Sequence, residues 1–268
     1  MRYYSKVYNQ FNIISSCRDR EFAMVPKIRA LKVHSIASLL QVLDLIHWDN
    51  SHTKLYRSVA KLSEIPFFTF NMALRSNETA PWFANEFDKL IYEYDLFFDF
   101  DKDEDSTIED VLKEVKRLLE IFNEYKVPHY VQFSGNKGFQ VFIDGKYIPK
   151  PSLENGSIQP HKKIAEKIKE AFNFKYLDLR NNGVGNRLCK IPYSLCPTED
   201  NQFEEDMNVV LPLSDEQINN FRLDYMKVRN VINNIKPLNR RGVLERFSDL
   251  SEEQKKKNMD KFIKSIDF

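Results

Sequence analysis

The chain has 268 residues, 42% of them hydrophobic and 21 of them Phe, enough to fill the core of one large domain or two small ones. Its 7 Gly and 11 Pro exclude a low-complexity or repeat architecture. Cys17, Cys189 and Cys196 are too few and too scattered for a disulfide framework or a CxxC zinc site, so no zinc is expected. No apolar run reaches the length of a membrane span and Met1 to Lys6 lack a signal-type apolar region, so no membrane partner is expected. The expected setting is the cytoplasm, or a host's cytoplasm if a mobile element encodes the chain. The net charge of +1 hides an asymmetry. Residues 85–126 carry 14 acidic and 6 basic side chains, whereas residues 127–194 carry 11 basic and 5 acidic. The plain explanation is two solvated faces; the sharper one is an acidic, cation-binding centre opposite a basic wall that receives phosphates.

In chain order, Ile36, Leu39, Leu40 and Leu43 give Ser35 to Ile46 helical spacing. Ile65 to Leu74 reads as a strand, and Pro81 to Glu93 as a helix with Pro in its first turn. Ser106 to Lys126 is the best helix: Ser106 and Glu109 match a capping box, and Ile108, Val111, Leu112, Val115, Leu118, Leu119 and Phe122 form one apolar stripe. His129 to Ser134 and Phe139 to Ile143 are strands joined by the turn Gly135-Asn136-Lys137-Gly138, which makes a hairpin with a basic tip. A lysine-bearing helix over Pro160 to Phe172 follows, then short strands at 176–179 and 187–191. From Ser214 the chain reads as helical and strongly charged. Strands and helices mixed in this way predict an α+β fold around a mixed or antiparallel sheet flanked by helices.

The most informative stretch is Phe97-Phe98-Asp99-Phe100-Asp101. An aromatic-rich run of this kind reads as a buried strand. On a strand, residues two apart share a face, so both carboxylates lie together and Phe98 and Phe100 lie together on the other side. Paired carboxylates repel unless a cation lies between them, and Mg²⁺ and Mn²⁺ favour oxygen ligands. Asp99-x-Asp101-x-Asp103 does not complete an EF-hand loop, because Glu104 and Asp110 stand where Gly and Glu are required. The histidines at 34, 47, 52, 129 and 161 show no metal-ligand spacing.

Three segments in order, Phe98-Asp99-Phe100-Asp101, Ser134-Gly135-Asn136-Lys137-Gly138-Phe139-Gln140, and Leu177-Asp178 leading to Arg187-Leu188-Cys189-Lys190-Ile191-Pro192-Tyr193-Ser194-Leu195, resemble the catalytic small subunit of archaeo-eukaryotic DNA primases and the related primase-polymerases. Arg20-Glu21-Phe22 and Leu55-Tyr56-Arg57-Ser58-Val59-Ala60 extend the resemblance upstream. It implies a primase-type catalytic core over residues 1–215; the remaining residues, 216–268, read from their own pattern as a helical C-terminal segment, expected to pack on the core. The resemblance further implies a nucleotidyltransferase that makes or extends primers from nucleoside triphosphates on single-stranded DNA. Asp99, Asp101 and Asp178 would be the catalytic, metal-binding carboxylates for two Mg²⁺ or Mn²⁺ ions. Ser134, Lys137, Gln140, Arg187 and Lys190 would bind the nucleotide. A large subunit or another replication protein would be a partner. Gln140 and Cys196 stand where the family usually has histidines, and the cysteine/histidine zinc motif and the longer insertion common in cellular primases are missing. The alternative is a non-catalytic nucleic-acid-binding subunit on the same fold, with a weakened nucleotide site.

Overall fold

The computed structural model describes residues 3, 19–25, 28–31, 54–63, 88–154, 157–180, 182–185, 187–197, 203–234 and 245–266. The helix expected over Ser35 to Ile46 and the strand expected over Ile65 to Leu74 lie outside them. Fifteen strands are described: β1 (Phe22–Val25), β2 (Ile28–Leu31), β3 (Lys54–Ser58), β4 (Ala60–Leu62), β5 (Ile91–Tyr94), β6 (Leu96–Asp101), β7 (Tyr130–Phe133), β8 (Gly138–Ile143), β9 (Ser152–Glu154), β10 (Ser157–Gln159), β11 (Leu177–Asp178), β12 (Leu188–Lys190), β13 (Leu195–Cys196), β14 (Asn208–Val209) and β15 (Leu211–Pro212). The α-helices are α1 (Ile108–Glu124), α2 (His161–Phe172), α3 (Asp215–Asn219), α4 (Val228–Asn234) and α5 (Glu252–Ile266). The fold is α+β. Every strand pairing among the described residues is antiparallel.

The centre is a five-stranded sheet in the order β11-β6-β8-β7-β15. Period-2 alternation sorts its side chains. Leu96, Phe98 and Phe100 of β6, Val131 and Phe133 of β7, and Phe139, Val141 and Ile143 of β8 share one face and one buried cluster. The helices cover that face. α1 buries the expected stripe from Ile108 to Phe122, α2 adds Ile164, Ala165 and Ile168, and α5 adds Met259, Phe262 and Ile266. Phe262 packs edge-on against Phe122 with ring centroids 5.4 Å apart, so the C-terminal helix shares the main core. The lysine-bearing helix α2 therefore packs on the face opposite to Asp99.

Two expectations need correction. The cap of α1 is shifted by one residue: Thr107 and Asp110 close the capping box, while the Ser106 hydroxyl accepts from the Asp103 amide. Both pairs fit the sequence pattern, and Thr107 takes the extended backbone that a cap requires. The helix expected over Pro81 to Glu93 does not reach Glu93, because Ile91 to Tyr94 form β5 and pair with β4. That run is rich in residues that suit a pleated surface, and a partner strand is available to it.

A second sheet, in the order β12-β3-β1-β2, joins the first at a buried charge centre. Asp95, between β5 and β6, receives two hydrogen bonds from the Arg20 guanidinium at 2.9 and 2.8 Å and one from the Gly145 amide at 3.1 Å. Arg57 of β3 stands 3.8 Å from the same carboxylate. Asp95, Arg20 and Arg57 are all at least 96% buried. Removing one member of such a group strands the others without water. Asp95→Ala is therefore expected to lower unfolding free energy by about 3–5 kcal/mol, measured by urea denaturation. Loss of less than about 1 kcal/mol, the level of a surface ion pair, would show that the centre does not hold the sheets together.

Candidate functional site

The face of the central sheet opposite the helices holds the candidate site. On this face β6 presents Phe97, Asp99 and Asp101, β7 presents Tyr130 and Gln132, and β8 presents Gly138, Gln140 and Phe142. One end is apolar: Tyr130 and Phe142 stack with centroids 4.6 Å apart, and Phe97 lies 4.9 Å from Phe142. The other end is polar and forms a row in register across four strands. Asp178 is the pairing partner of Asp99, Asp99 of Gln140, and Gln140 of Gln132. Directly paired residues hold their Cβ atoms about 4.5–5.5 Å apart, so β11 sets Asp178 beside Asp99 despite their separation in the chain. Glu114 of α1 anchors the approach to β11, accepting from the Lys175 and Tyr176 amides at 2.8 and 2.9 Å.

The second sheet brings the positive charge. Its edge strand β12 pairs with β3, Lys190 opposite Tyr56. Arg187, just before β12, donates to Asp99 Oδ2 at 2.7 Å, and Gln140 Nε2 donates to Asp99 Oδ1 at 3.2 Å. Lys190 Nζ donates to the Ser134 carbonyl and lies 3.3 Å from Cys196 Sγ. Asp178 has a cation of its own: Arg180 Nε donates to both its oxygens, at 3.0 and 3.2 Å.

The turn of the hairpin is built for close approach. The Ser134 hydroxyl accepts from the Gly138 amide at 3.2 Å. Gly135 has φ +85°, and a Cβ there would meet Cys196 Cβ at 2.5 Å. Only glycine meets both conditions. Lys137 at the tip is exposed, and its carbonyl accepts from the Lys102 amide at 3.0 Å, tying the turn to the end of β6.

The electrostatics follow from this packing. Burial and the neighbouring Asp101 push the Asp99 carboxyl up to about 6, against Arg187, Gln140 and Lys190. Burial also raises Asp101, assisted by Asp178 and opposed by Lys190, Lys137 and Arg187. For Asp178 burial acts upward, but Arg180 outweighs it and the carboxyl is lowered. Tyr56, the strand partner of Lys190, has its phenol raised to about 12 by burial, Cys196 and Asp99.

The structure thus gathers Asp99, Asp101, Asp178, Gln140, Arg187 and Lys190 at one end of the sheet, beside Ser134 and Lys137 of the turn. Both ends of the Gln140 amide are engaged, the oxygen by Gln132 at 2.8 Å. Gln132 and Tyr56 were not among the expected site residues. The signal for Gln132 was a polar residue in step with Tyr130, against Val131 and Phe133.

The donor set Asp99, Asp101 and Asp178 is all oxygen and partly desolvated, which fits Mg²⁺ or Mn²⁺. The Asp99, Asp101 and Asp178 oxygens are not drawn within 4.8 Å of one another; among the described residues the acidic group that is so close is Glu93, Asp95 and Asp144. It is already neutralised. Arg20 and Arg57 take Asp95, and Lys61 pairs with both Glu93 and Asp144. Three buried or half-buried cations leave little attraction for a fourth.

Asp99 makes a pH prediction. Its folded-state value lies above the ordinary 3.8. Its protonation therefore favours the fold below about 3.8, and this contribution is lost as pH rises through about 6. In chelator at pH 7, Asp99→Asn is expected to stabilise the protein by on the order of 2–3 kcal/mol and to flatten the stability profile between pH 4 and 6. Thermal unfolding across that range checks this, and a destabilised Asn variant would contradict it. The chain matches no protein-family model and no curated protein.

Proposed function

We propose that the chain is a metal-dependent nucleotidyltransferase of the primase or primase-polymerase type, which makes or extends primers on single-stranded DNA from nucleoside triphosphates. The observation that carries this reading is the in-register row of carboxylates on β6 and β11, faced by Arg187 and Lys190 from the edge of a second sheet. Acid and base come from opposite sheets, with a glycine turn at their margin. A triphosphate carries negative charge, and its transfer needs cations on the carboxylate side and fixed positive groups on the other.

Asp99, Asp101 and Asp178 would hold two divalent cations, either Mg²⁺ or Mn²⁺. When bound, such ions activate an attacking hydroxyl and stabilise the leaving oxygens of an in-line displacement. The chain's own residues do the rest. Arg187, which pairs with Asp99 here, would offer its guanidinium fork to phosphate oxygens at a site where cations occupied the carboxylates. Lys190, already anchored to the turn through the Ser134 carbonyl, neutralises charge beside it. Lys137 adds an exposed ammonium at the tip, and Gly135 keeps the turn close to Cys196. Gln140 offers no charge, so binding relies on these cations.

The test is primer synthesis on single-stranded DNA with labelled nucleotides and either metal. The wild type is expected to incorporate nucleotide. Asp99→Ala, Asp101→Ala and Asp178→Ala are each expected to lose at least about 100-fold in rate while remaining folded, because several kcal/mol of charge stabilisation leave with the cations. Lys137→Ala is expected to weaken nucleotide binding by about 1–2 kcal/mol, the scale of one charge-assisted bond. A wild type that binds single-stranded DNA but incorporates nothing would replace the enzyme with a non-catalytic nucleic-acid-binding subunit. Wild-type rates in the aspartate variants would remove the carboxylates from catalysis.

A further inference from the structure

The two amides beside Asp99 form a chain of hydrogen bonds with only one possible direction. A carboxylate accepts and does not donate, so Gln140 must turn Nε2 toward Asp99, and that bond is 3.2 Å. Its Oε1 then points to Gln132, which must answer with Nε2, at 2.8 Å. The second N–H of that nitrogen goes to the Lys190 carbonyl at 3.0 Å. Fixed acceptors stand at both ends, a carboxylate on β6 and a backbone carbonyl on β12.

Gln132 and Gln140 are 1% and 5% exposed. An amide at this depth costs free energy unless it is bonded, and Gln132 Oε1 has no partner among the described residues. Packing alone would favour an aliphatic side chain, like Val131 and Val141 on the other face. The amide is kept where its two N–H groups reach the two halves of the site.

We propose that Gln132 is a positioning residue for the cation site. Acting through Gln140, it fixes the rotation of the Asp99 carboxylate, and through the Lys190 carbonyl it registers the edge of the second sheet against the carboxylate row. It touches neither cation nor nucleotide. The inference rests on Asp99 being a cation ligand, as read above. Outer partners of this kind orient ligands, and their loss weakens metal affinity by about 10–100-fold.

The experiment is Mn²⁺ titration of the full chain, followed by electron paramagnetic resonance, for wild type, Gln132→Leu, Gln132→Glu and Val141→Ala. Circular dichroism establishes that each is folded at the working temperature. Gln132→Leu is expected to weaken Mn²⁺ binding about 10-fold. Gln132→Glu is expected to weaken it further, because a carboxylate at 132 cannot donate to Gln140 and instead draws its Nε2 away from Asp99. Val141→Ala, which loosens the opposite face of the same sheet, should bind Mn²⁺ like wild type. If Gln132→Leu does not fold, Gln132→Glu decides alone. Wild-type affinity in the Gln132 variants, or an equal loss in Val141→Ala, overturns the positioning role while the cation site stands. A wild type that binds no Mn²⁺ overturns the cation site and the relay together.

Discussion

Everything near the candidate site depends on one buried carboxylate, that of Asp95. It sits where the chain passes from β5 to β6, and Arg20 grips both its oxygens. The other arm of the guanidinium donates to the Ser58 carbonyl at 3.2 Å and to the Val59 carbonyl, where the chain passes from β3 to β4. Val59 in turn donates its amide to the Arg187 carbonyl at 2.9 Å. The charge centre is therefore a junction of sheets. A buried ion group is costly to assemble and costlier to break, so it enforces one relative placement. That placement carries β3, its neighbour β12, and hence Arg187 and Lys190, to the carboxylate row.

The central sheet divides its labour by face. One face is continuous hydrocarbon from β6, β7 and β8 under three helices, and burial there supplies most of the driving force for folding. The other face changes character along the strands, from the Phe97, Tyr130 and Phe142 group to the row of acids and amides. The polar end is electrostatically incomplete. Arg187 and Gln140 serve Asp99, yet burial and Asp101 still hold its carboxyl well above the ordinary carboxylate range. Asp101 is also raised. Two strand-mates in this condition favour additional positive charge, and their oxygens suit a hard cation.

The charge asymmetry along the chain maps only partly onto this opposition. The lysines of α2 belong to a helix on the Phe98 and Phe100 face of the sheet, opposite to Asp99. Lys169 shows their local use, donating to the Leu177 carbonyl of β11. The positive side of the site comes down to Arg187, Lys190 and Lys137. Two of these are held by the second sheet and one by the turn, so what places them is their backbone setting and not the lysine-rich composition of the region.

Elements with a clear internal period were legible in the sequence. The stripe of α1 appears residue for residue, because a 3.6-residue repeat buries the same side chains on any apolar surface. The alternation around Asp99 and Asp101 set both carboxylates opposite Phe98 and Phe100, as strand geometry requires. The turn over Gly135 to Gly138 followed from its glycines. Local pattern failed where two solutions were equally good, as at the α1 cap, or where a distant partner decided, as at β5. The residues that make the site a site lay beyond it. Asp178 meets Asp99 only through the register of β11 on β6, Arg187 and Lys190 arrive on a different sheet, and Gln132 gains its role by bonding Gln140 and Lys190 together. By itself the sequence determined the faces of its helices and strands, since periodicity is written in neighbouring residues. Only the tertiary structure decided which faces meet, because strand register and buried ion pairing join residues whose separation along the chain carries no local signal.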